Sequence, residues 1–256
     1  GEEDNTYLSY NMVVGEAADI NLSLAFEVLD YALLSAPGAP LKQALLDAKI
    51  GKDIYGSFED GIKQTYFSIV AKGANLSQKE EFVKVIRDTL TKIMEEGIDK
   101  KAVTAGINYY EFRFREADFS SYPKGLMYGL DILSSWLYDD TKPFCEVQLL
   151  EGFEFLKKAL EEGYFEDLIR KYLLDNTHGA ILSLVPEKGL AAKRDKELEE
   201  KLENYRKSLS DEELTRMVEN TKALEAYQES EEDPEALTCI PMLSREDIKK
   251  EITGLT

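Results

Sequence analysis

"KDIYGSFEDGIKQTYFSIVAKG", residues 52–73, decides how this chain folds. In its second half Tyr66, Ser68 and Val70 alternate with Phe67, Ile69 and Ala71, a period of two that places the two sets on opposite faces of a strand. "KDIYGSFED" before it reads as the partner strand, with a short polar turn between the two. Upstream, "YLSYNMVVG" (7–15) alternates in the same way and stops at Gly15. Between these runs the period changes. "INLSLAFEVLDYALL" (20–34) repeats Leu22, Phe26, Leu29 and Leu33 at helical spacing. "SAPGAP" (35–40) must break that helix, because Pro37 and Pro40 each remove a backbone donor and restrict the residue before them. "LKQALLDA" resumes it for two turns.

Downstream, Ser77 with Glu80 reads as a capping box opening a helix with the stripe Phe82, Val83, Ile86, Leu90, Ile93, closed by Gly97. A helix from about Asp99 follows, with Val103, Ile107, Tyr110 and Phe114 on its apolar line. Glu111, Arg113, Arg115 and Glu116 lie largely off that line, just before Tyr122-Pro123. They read as a solvated or ion-paired helix end rather than as catalytic groups. Helices over 125–139, 147–160 and 164–176 lead to a strand over 178–186. From Glu187 to Glu235 the composition turns heavily charged, and Leu198, Leu202, Tyr205 and Leu209 keep a four-three-four spacing. Ser210 with Glu213 is a second capping box, and Leu214, Met217, Leu224 and Tyr227 line the helix after it. This predicts a long antiparallel helical hairpin with a narrow apolar seam. The expected organisation is an α+β domain over 1–186, a charged hairpin over 187–235, and over 236–256 an extended linker with a short helix capped by Ser244. A chain that opens on Gly1 rather than Met reads as an excised piece.

A net charge of −19 repels a phosphate backbone, so nucleic acid is not an expected partner, whereas a basic peptide would be attracted. No apolar run approaches the length of a membrane span and no basic-then-apolar leader is present. Cys145 and Cys239 stand far apart with no CxxC, which argues against a disulfide framework and fits a reducing compartment. His178 is the single histidine. It cannot supply HExxH or HxxEH, and it reads as a packing or capping residue. GxGxxG, Walker and EF-hand patterns are missing. No carboxyl carries a burial signal that would raise its pKa, so a general-acid pair is not expected. The residues alone lead to an acidic, non-catalytic α+β domain with a helical hairpin.

Four stretches in order add a resemblance. "SAPGAPLKQALLDAKIG" (35–51) resembles the interrupted helix of the insulinase and pitrilysin class of zinc peptidases. "FRFREADFSSYPKGL" (112–126), "NTHGAILSLVPEKGL" (176–190) and "ALTCIPMLSREDI" (236–248) are similar to the presequence-protease branch of that class. The resemblance implies a metallohydrolase-like (LuxS-type) α+β domain: an antiparallel-rich sheet with helices on one face, followed by the hairpin. It implies the non-catalytic second domain of an ATP-independent zinc oligopeptidase, serving as chamber wall and hinge. Zinc belongs to the parent enzyme, and no cofactor, catalytic residue or metal ligand is expected in this chain. The implied partners are other domains of the same polypeptide and extended, basic peptides. By the same resemblance, the strand "DIYGSF" with Ile54, Tyr55 and Gly56, together with Gly38 in the preceding turn, would be an exosite gripping a peptide by strand addition. The implied location is the cytoplasm or an organelle matrix. The competing reading is a free-standing hairpin module that binds partner helices. A hairpin stripped of its neighbours is also expected to dimerise.

Overall fold

The computed structural model describes residues 3–231 together with residues 235, 238, 239, 244 and 245. The linker and short helix expected over 236–256 lie almost wholly outside the described residues. The chain divides into two compact units, residues 1–188 and residues 189–256.

In the first unit the strand pair of residues 52–73 is β2 (Asp53–Glu59) and β3 (Gln64–Ala74). With β1 (Thr6–Glu16) and β4 (Gly179–Leu184) they form an antiparallel sheet in the order β2-β3-β1-β4. The period of two sorts the side chains. Leu8, Met12, Val14, Ile54, Phe67, Ile69 and Ala71 enter the hydrophobic core, and the register sets Leu8 opposite Ala71 and Met12 opposite Phe67.

The helical layer is built around α1 (Ile20–Asp30), which buries Leu22, Ser23, Leu24, Ala25, Phe26, Val28 and Leu29. A helix apolar on nearly every side must be enclosed, and α1 touches β2 on one side and both α4 (Lys100–Glu116) and α6 (Leu150–Ala159) on the others. After Asp30 the backbone widens into a π-helical segment, Tyr31–Ser35. The prolines then do what their chemistry requires. Ala36 is extended, Gly38 takes φ +73°, and Pro40 opens α2 (Pro40–Asp47) from the first turn, where no backbone donor is needed.

α3 (Lys79–Glu96) buries Phe82, Ile86, Leu90 and Ile93 as expected. Its cap does not lie at Ser77. The capping box is Asn75 with Gln78 around a 3-10 turn, and the Asn75 backbone N–H donates to Gln78 Oε1 at 2.9 Å. Asn75 is already held by the start of the chain, through Asp4 N–H at 2.9 Å and Asp4 Oδ1 at 2.8 Å. That anchoring selects the earlier of two plausible caps.

α5 (Lys124–Trp136) and α7 (Tyr164–Leu168) complete the unit, the latter widening into π turns over Ile169–Leu174. Asn176 clips this end onto the sheet. Its Nδ2 donates to the carbonyls of Val13 at 2.7 Å and Tyr172 at 2.9 Å, and its Oδ1 accepts the His178 N–H at 2.7 Å. His178 itself enters the fold through its backbone, its carbonyl accepting Val13 N–H at 3.0 Å. Replacing Asn176→Ala removes three bonds at once, and a loss of about 2 kcal/mol in chemical denaturation is expected. His178→Ala should change stability by less than about 0.5 kcal/mol.

The second unit holds α8 (Leu190–Ser208) and α9 (Asp211–Glu229), joined at Leu209–Ser210, with the Ser210–Glu213 capping box in place. The expected seam stays open. Leu198, Leu202, Tyr205, Met217, Leu224 and Tyr227 are all exposed, and the helices make no extended contact along their lengths. A stripe one residue wide in so charged a segment offers too little apolar area to draw two helices together.

Candidate functional site

Three features of the first unit bear on function: the edge strand β2, the sheet face outside the core, and an acidic cavity. β2 pairs with β3 alone among the described strands, so its other edge is unpaired. The expected exosite residues divide by face. Ile54 is fully buried, Tyr55 is exposed on the opposite face, and Gly56 is half-buried on the core face. The reason for a glycine there is visible: a Cβ at Gly56 would stand 2.0 Å from Asp30 Oδ1 and 2.4 Å from Leu34 Cδ1. The close approach at Gly56 is therefore made by the end of α1 and the π segment. Burial raises the Asp30 carboxyl to about 6, and its Oδ1 has no hydrogen-bond partner. Gly38 is not brought to this strand. It lines a small separate cavity with Pro37, Ile93 and Asp99.

The sheet face outside the core carries Tyr55, Ser9, Asn11, Val70 and Leu182. At its centre Asn11 Oδ1 accepts from Ser68 Oγ at 2.6 Å and Ser9 Oγ at 2.9 Å, tying β1 to β3. The result is a flat surface of tyrosines, aliphatic side chains and small polar groups.

A cavity of about 430 Å³ lies between α1, α4 and α5. Four carboxyls line it: Glu27 of α1, Asp60 of the β2–β3 turn, Asp131 of α5, and Glu146. Burial raises Glu27 to about 7, with the Asp60 charge adding to the effect and Arg113 opposing it. Burial raises Glu146 to about 7 as well, followed by the charges of Asp60, Asp131 and Glu27. Asp60 and Asp131 are raised, chiefly by burial. Among the described residues none of the four forms an ion pair. Arg113 also lines the cavity, but its guanidinium sits 5.6 Å above the Tyr109 ring and donates to Tyr109 Oη at 3.3 Å. The expectation that no carboxyl would be raised by burial is thereby corrected. A signal was present, since Glu27 is an acidic residue inside an otherwise enclosed apolar helix.

The charged end of α4 behaves largely as expected. Glu111 accepts from Arg115 Nη2 at 2.6 Å and Lys157 Nζ at 2.7 Å, and these bonds, that of Lys157 first, lower its pKa. It ties α4 to α6. The described residues contain no group of three His, Cys, Asp or Glu side chains placed to hold a metal, and His178 is exposed, so they do not fit a zinc site.

The family model described as "Peptidase M16 inactive domain" matches residues 1–110. The model of the segment associated with subfamily C of the M16 peptidases matches residues 184–256. The chain belongs to the M16 peptidase family. It is a non-catalytic M16 domain with its associated helical segment. Protein HypA of Clostridium perfringens is 45% identical over 98% of this chain and 26% of its own length. Presequence protease 1, chloroplastic/mitochondrial, of Arabidopsis thaliana is 35% identical over 92% of this chain and 22% of its own. The M16 chain thus spans about a quarter of the length of these relatives. The fold resembles the inactive peptidase domain of a protein assigned as a zinc protease in Bordetella parapertussis, with a TM-score of 0.56 at 12% identity, covering 71% of this chain and 93% of that one. A protease from Helicobacter pylori gives a TM-score of 0.52 at 14% identity over 71% of this chain and 41% of its own.

Proposed function

We propose that this M16 domain is a peptide-holding wall of a larger zinc metalloendopeptidase that degrades extended, basic peptides in the cytoplasm or an organelle matrix. The observation that carries the reading is the sheet: one face is sealed into the core, while the other face and the β2 edge are left free. An unpaired edge satisfies any extended backbone, and Tyr55 beside it offers an aromatic surface for a side chain. The presequence-protease names of several relatives support the substrate class, and the net charge of −19 supports attraction of basic peptides. Zinc and the water it activates would be held by residues outside this chain. The free-standing hairpin reading finds no support in the open seam or the relatives.

The test has two arms. This chain alone, supplied with zinc, should bind none stoichiometrically and should not cleave an unstructured basic peptide. Stoichiometric zinc with chelator-sensitive turnover would overturn the reading. In a full-length parent whose zinc has been removed, adding the same peptide should slow hydrogen exchange over residues 53–59. Protection confined to other strands would remove β2 as the exosite.

A further inference from the structure

α5 is built inside out. Its one fully buried residue is Ser135, whose hydroxyl donates to the Lys142 carbonyl at 3.2 Å and accepts from Cys145 Sγ at 3.1 Å. Its sole acidic residue, Asp131, lines the acidic cavity. The leucines lie on the opposite side. Leu126, Leu130, Leu133 and Leu137 follow steps of four, three and four, one line along a helix, and they are 53, 51, 40 and 68% exposed. From Gly125 to Tyr138 the chain has no charged residue except Asp131. An amphipathic helix normally turns its apolar line inward. Here the polar line faces the unit and the apolar line faces away. Beside it, Tyr128 and Ile132 of the same helix border an apolar groove with Phe144 and Leu150.

We propose that the Leu126–Leu130–Leu133–Leu137 stripe is the seat of another domain of the same polypeptide. The inference rests on the reading of this chain as part of a larger protein. Two observations choose this occupant. The relatives align with nearly all of this chain yet are about four times its length, so they carry ample chain to cover the stripe. A second copy would bring another −19 charges against the first, at a cost that a covalently linked domain at high effective concentration can meet more easily. A basic peptide would find no carboxylate along the stripe itself, where every position is leucine.

The test compares this chain with its full-length parent and does not read peptidase activity. Hydrogen exchange over residues 124–138 should be about ten-fold slower in the parent than in the chain alone. Leu130→Glu with Leu133→Glu should leave the thermal midpoint of the chain alone unchanged, and should raise the rate of limited proteolysis of the parent about ten-fold. Equal exchange rates in the two contexts, or a large fall in the midpoint of the chain alone, would overturn the proposal. A wild-type chain that sediments as a dimer, and becomes monomeric on the double substitution, would assign the stripe to a second copy instead and would equally overturn it. A parent that protects residues 124–138 but cleaves no peptide would sustain this inference while defeating the peptidase reading.

Discussion

Raising the pH from about 5 to about 8 is expected to destabilise the first unit, and Glu27→Gln to remove the largest single part of that loss. The sign follows from where the proton resides. Glu27 titrates near 7 in the fold, against 4.5 in an unconstrained chain. Below the lower value both states are protonated and the buried carboxyl costs nothing. Between the two values the unfolded chain gives up a proton that the folded chain retains, so folding weakens with rising pH until the folded group has also ionised. A displacement of that size corresponds to about 3 kcal/mol. Glu146 adds a smaller share, because it is more open to solvent. The two carboxyls share one cavity, so their protons leave in joint steps. Glu27→Gln keeps the shape and removes the charge. At pH 8 it should raise the thermal midpoint by roughly 6–12 °C, and at pH 5 it should match the wild type. Glu219→Gln, on the exposed surface of α9, removes the same formal charge and should do neither. Wild-type and Glu27→Gln stability curves that stay parallel across this range would mean that Glu27 ionises in the fold at no cost.

Phe26→Ala is expected to cost about 3–5 kcal/mol, the largest effect of any single truncation considered. Phe26 is fully buried at the centre of α1. Its ring stacks on Phe58 at 5.8 Å, lies tilted at 5.9 Å from Phe67, and meets Tyr172 edge-on at 5.8 Å. It therefore joins β2, β3 and the π segment before β4 to one helix. Truncation leaves a void that three aromatic rings on separate elements cannot close together, and it forfeits their paired geometry as well. Phe26→Leu should retain most of the contact and cost about half as much or less. A loss below about 1.5 kcal/mol for alanine, measured by chemical denaturation, would show that the sheet and helices settle onto each other without this ring.

Much of the architecture was legible because period alone separates strand from helix. The alternation over residues 62–73 and the helical spacing from Leu22 to Leu33 needed no tertiary knowledge. Strand order was not legible, since nothing local tells β4 to arrive beside β1. The cap of α3 was misplaced because Ser77 and Asn75 both satisfy the local chemistry, and only contact with Asp4 chooses between them. The leucine stripe of α5 was visible as a stripe, but sequence carries no direction for it. The hairpin helices followed from pattern and caps, whereas whether they close on each other depends on apolar area that the pattern does not measure. At the candidate site, Ile54, Tyr55 and Gly56 were correctly placed on one strand. Gly38 was not brought to it, and the reason for Gly56 emerged only when Asp30 was found against it. Glu27 could have been found, as a lone acid in an enclosed helix.

The position of β4 has a mechanical consequence. It is an edge strand, held along one side by β1, and the chain leaves its Leu184 end toward residue 189 and the second unit. Tension entering from that side loads the pairing of Leu184 with Tyr7 first, then each pair in turn toward Gly179 and Met12. Ladder bonds loaded in sequence yield at far lower force than bonds sheared together. Under load β4 therefore opens like a zipper, and the Asn176 clip is the stop at which peeling halts.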